Sequence, residues 1–226
     1  MIRLDGQSVV VVGGGNVALR KVRTLLDHGA EVIVIAPEVG PELKDAAADG
    51  SITWIEDAFR EALLDDFKEM PVLVFGTTDD RTVNTAVFRA AERRGIPCNI
   101  ADVPDLCSFI VPALMRRGDL SIAISTGGAS PALARRIREG LESRFGPEYE
   151  SLTELLGALR SRITEQGHSS DENKIIFMRL VDAGLEDMLK SGNRDALVST
   201  LRSVVPFDID AEQIVDSVLN RKEQRG

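Results

Sequence analysis

The sequence predicts an α/β protein: a doubly wound parallel sheet, followed by a small α+β segment and a helical C-terminal domain. Three observations carry this expectation. Nearly all-apolar runs alternate with amphipathic stretches through the first half of the chain. After residue 108 the alternation gives way to two apolar runs joined by a polar, glycine-containing connection. From about residue 147 the apolar spacing is helical throughout.

The elements follow in order. SVVVV (8–12) is a continuous β-branched run ending in glycines, as a strand covered on both faces should read. VALRKVRTLLDHG then carries Val17, Leu19, Val22, Leu25 and Leu26 at helical spacing, with Gly29 as the stop. EVIVIAP is the second strand, a helical stretch lies near 41–48, and ITWI (52–55) and PVLVFG (71–76) are strands. DRTVNTAVFRAAERRG (80–95) is a helix, and IPCNIA (96–101) completes the parallel set. The apolar runs 109–115 and 120–125 predict an antiparallel hairpin. GGASPALARRIREGLESRFG reads as a glycine loop opening a helix, with Ser130 as N-cap and Pro131 at the first helical position. Leu152, Leu155, Leu156, Leu159 and Ile163 mark one amphipathic face, and Ile176, Leu180, Val181, Leu185 and Leu189 another, with QGHSS (166–170) between them. The last helix follows VPFD, with Ile214, Val215 and Val218 as its apolar positions. The expected domains are 1–112, 113–146 and 147–226.

Composition narrows the function. With 226 residues and 43% hydrophobic content the chain buries a real core, and a formal net charge of −9 argues against a nucleic-acid partner, which needs a clustered basic footprint. The opening MIRLDGQSVV lacks a basic leader followed by an apolar stretch, and no run approaches the roughly 18 apolar residues of a membrane span, so a cytoplasmic protein with no membrane partner is expected. Cys98 and Cys107 have neither redox-pair nor zinc spacing and read as reduced thiols. The only histidines are His28 and His168, so no protein metal site is expected.

The chemistry begins at VVVVGGGNVALRK, which places Gly13-x-Gly15-x-x-Ala18 between the first strand and the first helix. In this context one glycine serves the tight turn, the second lets a pyrophosphate approach the backbone, and the small third residue permits helix–strand packing. A Rossmann-like dinucleotide site is therefore expected, with Gly13, Gly14, Gly15, Asn16 and Val17 at the cofactor. The second strand ends in Ala36-Pro37 where an acid usually meets the ribose, and the nearest acid is Glu38. Pro37 and Glu38 are assigned to the cofactor, and an acid without an arginine favours NAD over NADP. Thr77 and Thr78, in FGTTDD at the carboxyl edge of the sheet, either meet the cofactor or cap the next helix together with Asp79.

Asp102 follows the fifth strand, just before Val103-Pro104. By residue chemistry alone it reads as a turn-forming residue. Taken together, VVGGGNVALRKVRTLLDHGAEVIVIAP, FGTTDD, CNIADVPDLCSFIVPA and GDLSIAISTGGASPALARRIREGLE closely resemble the precorrin-2 dehydrogenase family, the NAD-dependent module of siroheme synthases, over about residues 4–145. The large methyltransferase module fused to this domain in some bacterial relatives is not expected at this length.

The resemblance implies oxidation of precorrin-2 to sirohydrochlorin with NAD, with Asp102 as the catalytic carboxylate and proton acceptor. It implies a homodimer through a segment matching 113–145. A bare aspartate is a weak base, so Ile100, Phe109 and Ile110 are expected to desolvate it. The polycarboxylate substrate is assigned to Asn99, Ser108, Ser125, Thr126, Gly127 and Gly128, with Arg116, Arg117, Arg135, Arg136 and Arg138 as further donors, about half of which belong to a solvated helix face. Some relatives also insert Fe2+ into sirohydrochlorin in the same cleft, a lyase activity that stays open here, with Fe2+ as substrate. A non-enzymatic NAD-sensing module is the rival from another class, but it has no use for CNIADVPDLCSF. A 2-hydroxy-acid dehydrogenase would want a histidine–carboxylate pair, for which neither histidine is placed.

Overall fold

The computed structural model describes residues 2–225, with side chains described through residue 221. The chain divides between Val111 and Pro112 into two compact units.

In the first unit, β1 (Ser8–Val12), β2 (Glu31–Ile35), β3 (Ile52–Ile55), β4 (Leu73–Gly76) and β5 (Cys98–Ile100) form one parallel sheet in the order β3-β2-β1-β4-β5. Side chains alternate between faces along a strand, so a strand covered on both sides must be apolar at every position. Val9 and Val11 pack with Ala18, Val22 and Leu25 of α1 (Asn16–Leu26) and Leu43 of α2 (Pro41–Ala48). Val10 and Val12 pack on the other face with Val87, Ala90 and Ala91 of α3 (Arg81–Arg93). The Rossmann-like, doubly wound expectation holds. Between β3 and β4 the connection is a single 3-10 turn, Glu61–Leu64, whose Leu63 and Leu64 cover the α3 face. Strand order reverses between β1 and β4, which opens a crevice beyond their carboxyl ends.

In the second unit, β6 (Ala113–Arg117) and β7 (Leu120–Ile124) pair antiparallel from Ala113↔Ile124 to Arg117↔Leu120. The first strand starts later than its apolar run because Phe109 belongs to the core of the first unit and Pro112 intervenes. In α4 (Pro131–Arg144) the Ser130 hydroxyl accepts the Leu133 amide at 3.2 Å, with Pro131 leading the helix. The helices α5 (Glu148–Glu165), α6 (Ser170–Val181), α7 (Leu185–Ser191), α8 (Arg194–Val204) and α9 (Ala211–Arg225) follow. Leu155, Leu159 and Ile163 of α5 pack with Leu180, Leu185, Leu189, Leu197, Leu201 and Val215 into one core. The stripe from Ile176 to Leu189 is divided between two helices: α6 ends at Val181, Gly184 turns the chain at φ +69, and Leu185 opens α7. Val181 consequently leaves the core and is 58% exposed. Among the described residues, no helix is long and apolar enough to cross a membrane.

Candidate active site

The turn from β1 into α1 contains three glycines that do different things. Gly13 has φ +118 and donates its amide to Ile35 O at 2.9 Å; a Cβ there would lie 2.7 Å from the Thr77 hydroxyl. Gly14 packs its backbone against Glu38 and Val39 so closely that a Cβ would overlap the Glu38 carbonyl, and its own carbonyl accepts from Gly40 at 3.0 Å. Gly15 has φ −89, and a Cβ there meets nothing within 4 Å. The first two glycines are therefore demanded by the fold, whereas the third leaves open space in front of α1. Gly15 is the N-cap of α1, with no side-chain cap and no acid in the first turn. The first amides of a helix have no intrahelical partner, so α1 presents unsatisfied donors and the positive end of its dipole. The neighbouring α3, by contrast, is capped by Asp80, whose Oδ1 accepts from Thr82 at 2.7 Å and Val83 at 3.3 Å.

In front of this terminus lies a cavity of about 420 Å3 lined by Gly13, Gly14, Gly15, Asn16, Val17, Ala36, Pro37, Glu38, Thr77, Thr78 and Asp79. It brings together every residue that the sequence assigns to a cofactor. Its walls are pinned from behind. The Thr77 hydroxyl is buried and donates to Val12 O at 2.8 Å, tying the end of β4 to the end of β1. Thr78 does not cap α3 with Asp79, because Asp80 occupies the cap; Thr78 is held instead by the buried Asn84, through Nδ2 to Thr78 O at 2.8 Å and through Oδ1 to the Thr78 hydroxyl at 2.9 Å. Trp54 donates its indole N–H to Ala36 O at 2.9 Å and fixes the backbone just before Pro37.

Asn84, Trp54 and Lys21 were missed by reading motifs alone. Each had a signal: Asn84 is polar on the apolar stripe of α3, Trp54 is the single tryptophan, and Lys21 sits between Ala18 and Val22 on the buried side of α1. Lys21 Nζ lies 5.3 Å from the centroid of the Phe75 ring, within cation–π range.

Asp102 stands at the third position of a turn in which the Val103 amide donates to Ile100 O at 3.4 Å, and its φ of +60 is left-handed. Aspartate tolerates that region better than most residues, though at some strain. The side chain is exposed. The expected apolar surround is not formed: Ile100 is buried in the core on the α3 face, Phe109 stacks edge-on against Phe75 at 5.6 Å, and Ile110 is itself exposed. The reason is the turn: β5 ends with Ile100 in the core, and the left-handed φ of Asp102 takes the chain out of the strand's alternation before its side chain is placed.

The segment after this turn is bound back onto β5. Asn99 Nδ2 donates to Phe109 O at 2.9 Å and to Cys107 Sγ at 3.5 Å, while Cys107 Sγ donates to Ile100 O at 3.2 Å and Val103 O at 3.3 Å. Ser108 Oγ accepts the Cys98 amide at 2.7 Å. Asn99 and Ser108, expected at the substrate, thus engage polar atoms within the chain and shape the Asp102 turn. Both cysteines are free thiols, and burial, with Cys107 adding to it, pushes the Cys98 thiol up to about 12, which keeps it protonated.

In the second unit, the loop before α4 is ordered by its own side chains: Ser125 Oγ accepts the Gly127 amide at 3.2 Å, Thr126 Oγ1 accepts the Ser130 amide at 3.0 Å, and Gly127 and Gly128 have φ +60 and +85. The five arginines separate. Arg117 donates to Phe145 O at 3.0 Å and Glu142 O at 3.1 Å, closing the end of α4. Arg135 pairs with Glu139 and Arg138 with Glu142 along the helix, and Arg116 donates to Gly118 O. Arg136 is exposed and has no hydrogen bond or salt bridge among the described residues.

A larger hollow of about 560 Å3 lies on the outer face of α3 among Glu61, Arg81, Thr82, Arg89 and Arg93. It is an open ion-pair surface, with Arg93 bound to Glu61, and touches no strand end, so the smaller cavity at the glycine turn is the functional candidate.

Known proteins agree with this geometry. The family described as putative NAD(P)-binding matches residues 1–113, and the family described as sirohaem biosynthesis protein central matches residues 117–144. Siroheme synthase 3 of Aeromonas hydrophila subsp. hydrophila is 41% identical over 181 residues, 80% of this chain and 38% of that protein. The siroheme synthase of Shigella boydii serotype 18 is 36% identical over 209 residues, 92% of this chain and 45% of that protein. The chain therefore spans less than half the length of these curated relatives. Among solved structures, SirC, a precorrin-2 dehydrogenase, aligns with a TM-score of 0.72 and 29% identity over 90% of this chain and 96% of that one.

Proposed function

The chain belongs to the family described as putative NAD(P)-binding, and from that premise, with the sirohaem biosynthesis protein central match that follows it, we propose that it oxidises precorrin-2 to sirohydrochlorin, with NAD as hydride acceptor and Asp102 as proton acceptor. The observation that carries the reading is the uncapped start of α1, which faces a cavity of about 420 Å3 with open space at Gly15. That site fits a dinucleotide. Backbone donors of Gly15, Asn16 and Val17 hold the pyrophosphate, where a side-chain cap or an acid would compete, and Pro37 with Glu38 receives the adenosine ribose. Glu38 repels a 2′-phosphate, which favours NAD over NADP. NAD, when bound, supplies the acceptor for a hydride leaving the substrate.

The chain's own part is to bind, orient and move a proton. Asp102 accepts the proton at a carboxylate oxygen, and because the side chain is exposed in the free protein, the flat substrate itself supplies the desolvation that makes transfer productive. The substrate is a polycarboxylate; within the second unit, Arg136 and the loop of Ser125, Thr126, Gly127 and Gly128 are donors of a kind suited to carboxylates. A homodimer forms through residues 113–146, which share the second compact unit with the helices that follow. Leu114, Leu133 and Ile137, exposed at 39%, 51% and 40%, are the apolar surface such an interface would cover. The reading places the protein in the cytosol.

The test is purified protein with enzymatically made precorrin-2 and NAD, followed spectroscopically for NADH and sirohydrochlorin. Stoichiometric formation of both is expected. Protein that binds NAD but yields no NADH from precorrin-2 overturns the reading. Repeating the reaction with Fe2+ decides whether iron is also a substrate.

A further inference from the structure

The glycine turn stands between two carboxylates in matching places. Val12, the last residue of β1, is in register with Ile35 of β2 on one side and with Gly76 of β4 on the other. Glu38 is the third residue after Ile35, and Asp79 is the third after Gly76. Both side chains are exposed, and both residues line the cavity of about 420 Å3 in front of Gly15. Neither carboxylate has a hydrogen bond or salt bridge among the described residues. The cap of α3 does not use Asp79, because Asp80 accepts the Thr82 amide at 2.7 Å and the Val83 amide at 3.3 Å. The other polar side chains on that wall are engaged within the chain: the Thr77 hydroxyl donates to Val12 O at 2.8 Å and the Thr78 hydroxyl to Asn84 Oδ1 at 2.9 Å. Asp79 is thus held between two anchored neighbours, Thr78 and Asp80, with its own acceptor oxygens unspent.

A dinucleotide carries a ribose on each side of its pyrophosphate. We infer that Asp79 is a cofactor-binding residue whose carboxylate accepts hydrogen bonds from the hydroxyls of the nicotinamide-bearing ribose, as Glu38 does for the adenosine ribose across the turn. This rests on the reading of the cavity as an NAD site. The chemistry suits the place: vicinal hydroxyls are paired donors, and a carboxylate offers two acceptor oxygens. The side follows from the sheet. In a doubly wound fold the acid after the second strand meets the adenosine ribose, which leaves the second ribose to the β4 side. β5 lies beyond β4, and the Asp102 turn follows β5, so the second ribose falls on the side of the sheet that carries the proposed proton acceptor. Between the two acids, the uncapped start of α1 is left to the pyrophosphate.

The experiment is calorimetric titration of the wild type, Asp79→Ala, Asp79→Asn and Glu38→Ala with three ligands: NAD, ADP-ribose, which keeps the second ribose without nicotinamide, and ADP, which lacks both. Asp79→Ala should bind NAD and ADP-ribose about tenfold more weakly and ADP as the wild type does. Asp79→Asn, which keeps one acceptor oxygen, should lose less, and Glu38→Ala should weaken all three ligands. Melting temperatures without ligand should match that of the wild type for both Asp79 variants, since the side chain is exposed and bonds nothing in the fold. If the wild type binds NAD and Asp79→Ala binds ADP-ribose with unchanged affinity, the role of Asp79 is overturned and the cofactor site stands. Equal losses for ADP and ADP-ribose in Asp79→Ala overturn it as well, because the carboxylate then acts on the adenosine half. If the wild type binds none of the three, the NAD site itself falls, and the role of Asp79 falls with it.

Discussion

Asn84 holds Thr78 at both ends of its backbone: Asn84 Nδ2 donates to the Thr78 carbonyl at 2.8 Å, and Asn84 Oδ1 accepts from the Thr78 amide at 3.3 Å. One buried amide on α3 thereby shapes the wall of the cavity at the glycine turn. Replacing Asn84 by Ala leaves those groups unsatisfied, and the first unit should lose about 2 kcal/mol of stability. NAD affinity should fall by about tenfold as the Thr78 wall loosens, a change of roughly 1.4 kcal/mol. Thermal unfolding with and without NAD, together with equilibrium titration, checks both effects. A variant that binds NAD like the wild type would show that the wall does not depend on this residue.

The glycines of the turn should fail in different ways. Gly14→Ala forces a Cβ into the Glu38 carbonyl and should destabilise the fold by about 1–3 kcal/mol whether or not a ligand is present. Gly15→Val meets no protein atom near its Cβ and should fold normally, yet it fills the space in front of α1 and should abolish NAD binding. Circular dichroism melts paired with NAD titrations separate the two. Normal NAD affinity in folded Gly15→Val would be incompatible with a nucleotide in this cavity.

Asp102 carries left-handed backbone strain, so the choice of substitution matters. Asn tolerates φ +60 and Ala does not, so Asp102→Ala should be less stable than Asp102→Asn by about 1 kcal/mol. Both should lose precorrin-2 oxidation by at least about a hundredfold while retaining NAD binding. Denaturant unfolding ranks the stabilities, and single-turnover NADH formation measures the chemistry.

Arg94 joins the end of α3 to the turn before β4, donating to Asp65 at 2.6 and 2.7 Å and to Glu61 at 3.1 Å. Hydrogen bonds from Arg93 and Arg94 hold Glu61 below the ordinary carboxylate range, and Arg94 does the same to Asp65. Carboxylates depressed in the folded state stabilise it above their unfolded values, near 4, and that contribution is lost as pH falls through the lower folded values. Arg94→Met should therefore melt below the wild type at neutral pH, and the gap should narrow on acidification towards pH 3. A gap independent of pH would mean that Arg94 acts through packing alone.

What the sequence by itself determined is everything carried by local spacing. The β-branched run 8–12, the stripe Ala18, Val22 and Leu25, and Ser130 before Pro131 each specify their element from residues within a few positions of one another, because side-chain direction repeats every second residue in a strand and about every 3.6 in a helix. The residues lining the cavity were legible for the same reason, since they lie at strand ends marked by glycine or proline. Only the tertiary structure decided how those residues divide their work. It showed that Gly14, not Gly15, packs against Glu38, that the Thr77 hydroxyl reaches Val12 across 65 positions, and that Lys21 comes to rest on Phe75. Those are contacts between segments remote along the chain, and their energies depend on burial and distance in space, to which no local periodicity responds.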